Sequence, residues 1–235
     1  MFNDKTVSLV LPTYNEKDSI KECIKEFEAL GIIDEIIVIN NNAAEGTSEE
    51  VAQTSAIEIF EDTQGYGSAV LRGYKESTCD LVVLCEPDAT FLTVDIFKLL
   101  EFSRDFDVVY GSRTCHALIW DGANMGYFLR TGNWAVAKLL ELLYVSVSLS
   151  DVGCTYRLIN RKAKEVVLKE CNVTANYFSP EMMITTIKNN FKVVQVPVNY
   201  KDRVGISMGS GTFWKAFKIG MGMIFLIIKK RLTSS

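Results

Sequence analysis

Short apolar runs alternate with amphipathic segments over the first ninety residues of the chain. Four runs have the length of buried strands, at 7–11, 35–39, 57–60 and 81–85. Pro12 is expected to stop the first of them. Apolar residues at helical spacing predict a helix at 18–30, and further helices are expected to begin at Thr47 or Ser48 and at Gly65. This alternation predicts a parallel sheet with right-handed crossover connections.

The second half of the chain continues with less regular spacing. Its pattern predicts strands at 107–110, 158–159 and 193–198 and helices at 93–103 and 126–144. A further helix is predicted with Ser179 as its cap and Pro180 at its first position. Pro197 lacks a backbone donor, so the last strand is expected near a sheet edge, followed by a polar loop at 199–211. The predicted fold class is α/β, with a mostly parallel central sheet flanked by helices.

Three loops at the predicted carboxyl ends of strands carry hydrogen-bonding side chains. They follow Leu11, Ile39 and Cys85, and ligands of open α/β sheets bind at this edge. The third loop places Glu86 and Asp88 one residue apart. Two hard oxygen ligands in a loop suit a Mg²⁺ or Mn²⁺ ion that also holds substrate phosphates. Alone, this pair would be a solvated acidic turn, but the three loops together favour a nucleotide-type site.

The charge of the chain is unevenly distributed. The net charge of −4 argues against a general nucleic-acid binder. Residues 213–235 contain five Lys or Arg and no acid, so they carry +5 and the remainder carries −9. The apolar run at 219–228 is ten residues long, whereas a membrane-spanning helix needs about 20. This tail is therefore expected to lie on an anionic membrane surface, to pack against the protein or to form a dimer contact.

The cysteines indicate a reducing compartment. There are six, none in a CxxC pair, and the N-terminus has no signal-peptide pattern. We therefore expect a cytoplasmic protein, with any membrane contact peripheral and on the cytoplasmic face. The aromatic residues Tyr156, Trp134 and Trp214 are expected to serve packing rather than chemistry.

An ordered set of motifs extends over about 200 residues of this chain. They are Leu11–Glu16, Asn40–Thr47, Glu86-Pro87-Asp88, Gly111-Ser112-Arg113, Leu129-Arg130, Asp151–Arg157, and Val196-Pro197-Val198 with Arg203. In this order they resemble the motifs of family 2 glycosyltransferases, which have the Rossmann-like GT-A fold. The chain is similar in particular to dolichyl-phosphate and undecaprenyl-phosphate sugar transferases. The resemblance implies a GT-A domain at 1–211 and a C-terminal basic amphipathic helix at 212–235.

The resemblance also implies roles for individual residues. Nucleotide-sugar binding falls to Pro12, Tyr14, Glu16, Asn41, Asn42, Gly65, Glu86, Arg130 and Arg203. Asp88 and Glu86 would hold the Mg²⁺ or Mn²⁺ ion, and Asp88, Arg113 and Asp151 are the catalytic candidates. Three positions depart from the family pattern: Asn40 replaces the usual acid of the second loop, Ala43 replaces a common Ser, and Glu86 replaces the first Asp of the metal motif.

The implied reaction is transfer of a glycosyl unit from a nucleotide sugar, with inversion expected from the family. A lipid-phosphate acceptor, as in cell-envelope glycan synthesis, is already an anion and needs no strong base. A hydroxyl acceptor would need a carboxylate to take its proton, and Asp151 is the candidate. Arg157 is expected either to support the Asp151 loop through an ion pair or to act at the site.

Three other functions remain open. One is a soluble glycosyltransferase that acts on a glycan or protein hydroxyl. Another is a nucleotidyltransferase, which would want a glycine-rich N-terminal loop with a basic residue, and Leu11–Glu16 has neither. The third is a non-catalytic nucleotide-binding protein, to which the altered metal motif points. The sequence leaves the sugar, the nucleotide and the oligomeric state undetermined.

Overall fold

A seven-stranded sheet forms the centre of the molecule over the residues that the computed structural model describes, 1–204 and 213–233. Its strands are β1 Val7–Thr13, β2 Glu35–Asn40, β3 Ile57–Phe60, β4 Leu81–Leu84, β5 Val108–Ser112, β6 Arg157–Asn160 and β7 Val193–Pro197. They lie in the order β3-β2-β1-β4-β6-β5-β7. Only β6 is antiparallel to its neighbours among these described strands. The mostly parallel α/β sheet is confirmed, and so is the edge position of β7.

Helices cover both faces of the sheet. They are α1 Lys17–Glu28, α2 Thr47–Val51, α3 Tyr66–Glu76, α4 Ile96–Phe102, α5 Tyr127–Tyr144, α6 Arg161–Glu170, α7 Phe178–Lys188 and α8 Phe213–Leu232. Short 3₁₀ turns lie at Thr93–Asp95 and His116–Leu118. One hydrophobic layer packs α1 and α4 against the sheet, and the other packs α3, α5, α6, α7 and α8 against the opposite face.

Two predicted boundaries are wrong. Pro12 does not stop β1, which runs on to Thr13. Past Val10 the strand pairs only with β2, so the missing Pro12 donor removes no bond to β4. Helix α7 begins at Phe178, which places Ser179 and Pro180 inside its first turn.

Helix α6 has no counterpart in the sequence prediction. It starts where the side chain of Asn160 accepts a hydrogen bond from the Ala163 amide at 2.9 Å. Since α6 follows β6 without a loop, no turn residues mark the change from strand to helix.

The C-terminal helix α8 packs onto the rest of the protein. Met223 and Ile227 are buried in the layer that contains α5 and α7, and Lys230 forms an ion pair with Glu181 at 2.6 Å. No described helix is long and apolar enough to cross a membrane. The predicted domain boundary at 211 and most of the predicted loop at 199–211 lie outside the described residues.

Candidate active site

A cleft of about 690 Å³ opens at the carboxyl ends of β1, β2 and β4. Of the predicted site residues, it is lined by Pro12, Tyr14, Glu16, Asn41, Gly65, Glu86, Asp88, Arg113 and Arg203. The three loops that carry hydrogen-bonding groups therefore converge, as the parallel strand order requires. Gly65 and Tyr66 at the start of α3 line the same cleft.

The turn after β1 holds the side chain of Glu16 in place. Its Oε2 accepts hydrogen bonds from the amides of Tyr14 at 2.7 Å and Asn15 at 2.9 Å. Its Oε1 faces the cleft and accepts from Arg203 Nη2 at 2.5 Å. One oxygen of this carboxylate therefore stabilises the turn while the other contacts a cation.

The loop after β4 holds Asp88 in the same manner. Asp88 Oδ1 accepts from the Thr90 amide at 3.0 Å and from the Thr90 hydroxyl at 2.6 Å. Asp88 Oδ2 lies 3.0 Å from Arg203 Nη1, and Glu86 Oε2 lies 3.9 Å from the same nitrogen. Burial and the neighbouring Asp88 carboxylate raise the pKa of Glu86 above its usual range.

This carboxylate group, Glu16, Glu86 and Asp88, has the ligand chemistry of a divalent-cation site but is not a complete set of ligands. Three carboxylates face a single guanidinium within 4.0 Å, and their oxygens are the ligands that Mg²⁺ and Mn²⁺ prefer. Among the described residues, no three His, Cys, Asp or Glu side chains are arranged to hold a metal ion by themselves. The residues present therefore suit an ion that takes its remaining ligands from a substrate and water.

Beside the carboxylate group, Arg113 and Asp151 form a two-point ion pair. Arg113 Nε and Nη2 donate to Asp151 Oδ2 and Oδ1 at 2.9 and 3.0 Å. The amides of Arg113 and Gly153 donate to the same carboxylate at 3.0 and 2.9 Å. Although burial opposes the charged form, the Arg113 guanidinium lowers the pKa of Asp151. Asp151 is thus a buried anion that orients Arg113, which lines the cleft.

Gly153 is required by the close approach of two side chains. A Cβ atom on this residue would lie 2.9 Å from Arg113 Nη2 and 2.9 Å from Asn133 Oδ1. Any side chain here would push Arg113 or Asn133 away from its position, so the glycine shapes the cleft wall.

Arg157 holds the loop that carries Asp151 in place. This buried guanidinium donates to the carbonyls of Cys154 at 2.6 Å, Val152 at 3.1 Å and Ser179 at 3.1 Å. Arg157 thus supports the Asp151 loop through backbone carbonyls, and the expected ion pair is not found among its contacts with the described residues.

The far side of the cleft is apolar. Its wall is formed by Met125, Phe128, Leu129, Ala135 and Val136 from the α5 segment and by Ala216, Ile219, Met223 and Ile224 from α8. The cleft therefore joins charged groups at the sheet edge to an apolar surface between two helices.

Comparison with known proteins identifies the family. Residues 8–168 match the family described as Glycosyl transferase family 2. The chain belongs to that family. It is 29% identical over 206 residues to the low-salt glycan biosynthesis hexosyltransferase Agl6 of Haloferax volcanii, covering 85% of this chain and 49% of Agl6. It is 26% identical over 229 residues to the glycosyltransferase AglJ of the same organism, covering 96% of this chain and 71% of AglJ. The chain thus spans about half the length of Agl6.

Solved structures share the fold of this chain. Glucosyl-3-phosphoglycerate synthase from Mycobacterium tuberculosis, crystallised with Mn²⁺, UDP-glucose and phosphoglyceric acid, matches with a TM-score of 0.76 at 16% identity. The match covers 99% of this chain and 82% of the synthase. The same enzyme crystallised with phosphoglyceric acid alone gives a TM-score of 0.74 at 15% identity, covering 97% of this chain and 80% of the synthase. The GT-A fold expected from the sequence is confirmed.

Three predicted site residues are not among the described residues that line the cleft. Asn42 lines a separate pocket of about 380 Å³, and Asp151 lies behind Arg113. Arg130 is in the first turn of α5, where its amide donates to the Gly126 carbonyl. The predicted roles of these three residues stay predictions.

Sequence reasoning missed several residues of the cleft. They are Thr90, Asn133, Gly153 and Tyr200, together with the apolar wall. Thr90 follows Asp88 by two residues, and this spacing is the usual signal of a side-chain turn. The apolar positions of α5 and α8 gave no signal, because a helix face that packs in the core and one that lines a cleft have the same periodicity. Of the three aromatic residues expected to serve packing, Tyr156 is fully buried, whereas Trp134 and Trp214 are 50% and 69% exposed and pack only in part.

Proposed function

We propose that this glycosyltransferase moves a sugar from a nucleotide-sugar donor to a polyprenyl phosphate at a membrane surface, in the synthesis of cell-envelope glycans. The observation that carries the proposal is the composition of the cleft, which places carboxylates and arginines beside the apolar wall between α5 and α8. A lipid phosphate has one charged end and one apolar end, so it matches both halves.

The charged half would bind the donor. Pro12, Tyr14 and Asn41 line the cleft and would surround the nucleoside, while Arg113 and Arg203 would contact the diphosphate. A guanidinium suits phosphate because its planar fork donates two parallel hydrogen bonds. Asp88 and Glu86 would hold a Mg²⁺ or Mn²⁺ ion, which neutralises negative charge on the diphosphate when bound.

Bond breakage between the sugar and the diphosphate leaves negative charge on the β-phosphate. Arg113 is held rigidly by Asp151, so its positive charge is oriented before the reaction begins. Groups preorganised in this way stabilise developing charge without reorganisation during the reaction. Arg113 thus acts as an electrostatic catalyst and Asp151 as the residue that positions it.

The proposed enzyme differs from a hydroxyl-directed transferase in its acceptor, which is a phosphate instead of a hydroxyl. A hydroxyl acceptor requires a base, and both oxygens of Asp151 already accept bonds from Arg113 and Gly153. A phosphate acceptor needs no base, because it is an anion near neutral pH. The geometry of Asp151 therefore favours the phosphate.

Contact with the membrane would come from the outward face of α8. Its exposed apolar side chains recur at helical spacing and are Trp214, Phe217, Met221, Phe225, Ile228 and Leu232. Two of them, Phe217 and Met221, also border the cleft. Lysine and arginine are the only charged residues of this helix, which suits anionic headgroups. The domain would then lie at the cytoplasmic face, with the apolar part of the cleft close to the lipid.

A donor screen by thermal unfolding tests the first half of the proposal. Each nucleotide sugar is added with and without Mn²⁺ to the wild type, to Asp88→Ala and to the surface control Glu101→Ala. A ligand at 100 times its dissociation constant stabilises by about 2.7 kcal/mol. We expect one donor to stabilise the wild type and the control in the presence of metal, and Asp88→Ala to lose the effect. No shift with any donor would favour a non-catalytic protein.

The acceptor is tested with the donor that the screen identifies. Transfer is measured to a polyprenyl phosphate in detergent, to the matching polyprenol and to a soluble glycan. The proposal expects product from the phosphate alone. Transfer to the soluble glycan without lipid would establish the hydroxyl-directed transferase instead.

A further inference from the structure

The guanidinium of Arg203 lies among all three members of the carboxylate group. It donates to Glu16 Oε1 at 2.5 Å, contacts Asp88 Oδ2 at 3.0 Å and lies 3.9 Å from Glu86 Oε2. These are the oxygens that face the cleft, since Glu16 Oε2 and Asp88 Oδ1 are engaged by amides of their own loops. Arg203 thus occupies the position from which a cation reaches both loops.

A divalent ion at Asp88 would meet this guanidinium at close range. Both are positive and both use Asp88 Oδ2, so they cannot bind that oxygen with full strength at the same time. The Glu16 and Asp88 carboxylates have little freedom to reorient, because their own loops hold one oxygen of each. Arg203 is the partner that can move, since its side chain is 19% exposed and it comes from a different segment of the chain.

A second observation shows that Arg203 has unused binding capacity. Its Nε is buried and has no hydrogen-bond partner among the described residues. A buried donor without a partner costs free energy, and an anion that reached it would recover this cost. A diphosphate in the cleft offers several acceptor oxygens, and its charge matches a guanidinium.

We propose that Arg203 is an internal counter-ion of the carboxylate group and that it makes metal and diphosphate binding cooperative. The diphosphate draws the guanidinium away from Asp88 and Glu16, and the oxygens released then bind the divalent ion. Each ligand thus removes the obstacle to the other. This inference rests on the proposed function, because it takes the donor diphosphate as the anion.

If the two ligands bind cooperatively, each raises the affinity for the other by the same factor, so the effect can be measured with either ligand. Without nucleotide, Mn²⁺ has to compete with Arg203 for Asp88, so its affinity for the wild type is low. With UDP present, Arg203 binds phosphate and the affinity for Mn²⁺ rises. Removal of the guanidinium abolishes the competition, and Mn²⁺ then binds tightly by itself.

The test is a titration of Mn²⁺ into four proteins: wild type, Arg203→Gln, Arg203→Lys and Arg161→Gln. Binding is monitored by the electron paramagnetic resonance signal of Mn²⁺. Arg161→Gln is the control for the loss of one positive charge, because Arg161 is an exposed residue paired with Asp80. We expect Arg203→Gln to bind Mn²⁺ at least tenfold more tightly than the wild type and Arg161→Gln to bind as the wild type does. Arg203→Lys should fall between them, since a single ammonium cannot contact both loops at once.

The same titrations with UDP-glucose complete the test. This ligand should tighten Mn²⁺ binding to the wild type by tenfold or more and leave Arg203→Gln nearly unchanged. Unchanged or weaker Mn²⁺ binding by a folded Arg203→Gln protein would overturn the inference and leave the donor site intact. If none of the proteins bound Mn²⁺ or any nucleotide sugar of the donor screen, the proposed function would fail together with the inference.

Discussion

The guanidinium of Arg113 and the carboxylate of Asp151 are joined at two points, at 2.9 and 3.0 Å, directly behind the cleft. Two backbone amides complete the set of donors to this carboxylate. A buried carboxylate with this many donors remains ionised and keeps its guanidinium partner in one orientation. The pair therefore links the stability of the fold to the electrostatics of the active site.

The Asp151→Asn variant should lose stability. An amide cannot balance the charge of Arg113, and a buried ion pair that loses one partner costs about 3–5 kcal/mol. The Glu101→Gln variant removes a carboxylate from an exposed ion pair with Arg104, which should cost about 1 kcal/mol or less. Urea unfolding of both variants measures the difference. Equal midpoints would contradict the importance of the Asp151 pair.

The stability gap between wild type and Asp151→Asn should depend on pH. The pKa of Asp151 is lowered in the folded protein, and the unfolded value is about 3.9. Above pH ~4 the free energy of unfolding of the wild type therefore exceeds that of Asp151→Asn by the full amount. This difference disappears as the pH falls through the lower pKa that Asp151 has in the folded protein. Urea midpoints of the two proteins between pH 7 and 3 should be parallel at first and converge only at the acidic end. Convergence near neutral pH would contradict the lowered pKa.

The Gly153→Ala variant should bind a nucleotide sugar more weakly. Its Cβ would lie 2.9 Å from Arg113 Nη2, so the guanidinium has to shift. Loss of one charge-assisted hydrogen bond of about 1.5–3 kcal/mol corresponds to roughly 10–100-fold in affinity. Gly126→Ala is the matched control, because a Cβ at this position meets no atom within 4 Å and the residue is not among those that line the cleft. Calorimetric titration should show the loss in Gly153→Ala alone, and equal affinities would refute this role of Gly153.

Two glycines in α8 should respond oppositely to alanine. A Cβ at Gly222 would lie 2.5 Å from the Tyr177 ring, whereas a Cβ at Gly220 meets nothing within 4 Å. Gly222→Ala should therefore destabilise by about 1–3 kcal/mol through overpacking. Gly220→Ala should stabilise by up to about 1 kcal/mol, because alanine is the better helix former. The unfolding temperatures of both variants measure these changes. A stabilised Gly222→Ala would mean that α8 does not pack closely on Tyr177.

The Phe225→Ser variant should bind anionic vesicles more weakly than the wild type. Phe225 is 70% exposed on the outward face of α8, where it would enter the lipid interface. Phe60, which is 61% exposed on β3 at the opposite sheet edge from β7, is the matched control. Cosedimentation with phosphatidylglycerol vesicles should fall severalfold for Phe225→Ser and remain unchanged for Phe60→Ser. Equal losses in both variants would argue against α8 as the membrane-binding face.

Much of the fold and of the charged half of the cleft could be predicted from the sequence. Apolar runs and turn residues act over short distances, so β1 to β4 and the loop with Glu86 and Asp88 were identified from local pattern. The ends of the strands were predicted less accurately, because pairing with neighbouring strands determines where a strand ends. Pro12 remains in β1 since β4 has already ended beside it, and no property of Pro12 itself reveals this.

The amino-acid sequence sets which groups are available, namely acids after β4, arginines in several loops and an apolar, basic C-terminal segment. Which of these groups meet depends on the tertiary fold. Arg203 contacts Glu16 across 187 positions of the chain, and Arg113 contacts Asp151 across 38. The apolar wall likewise required α8 to pack beside α5. Such contacts depend on the order of strands and the packing of helices, which are set by burial of the whole core and not by any local pattern.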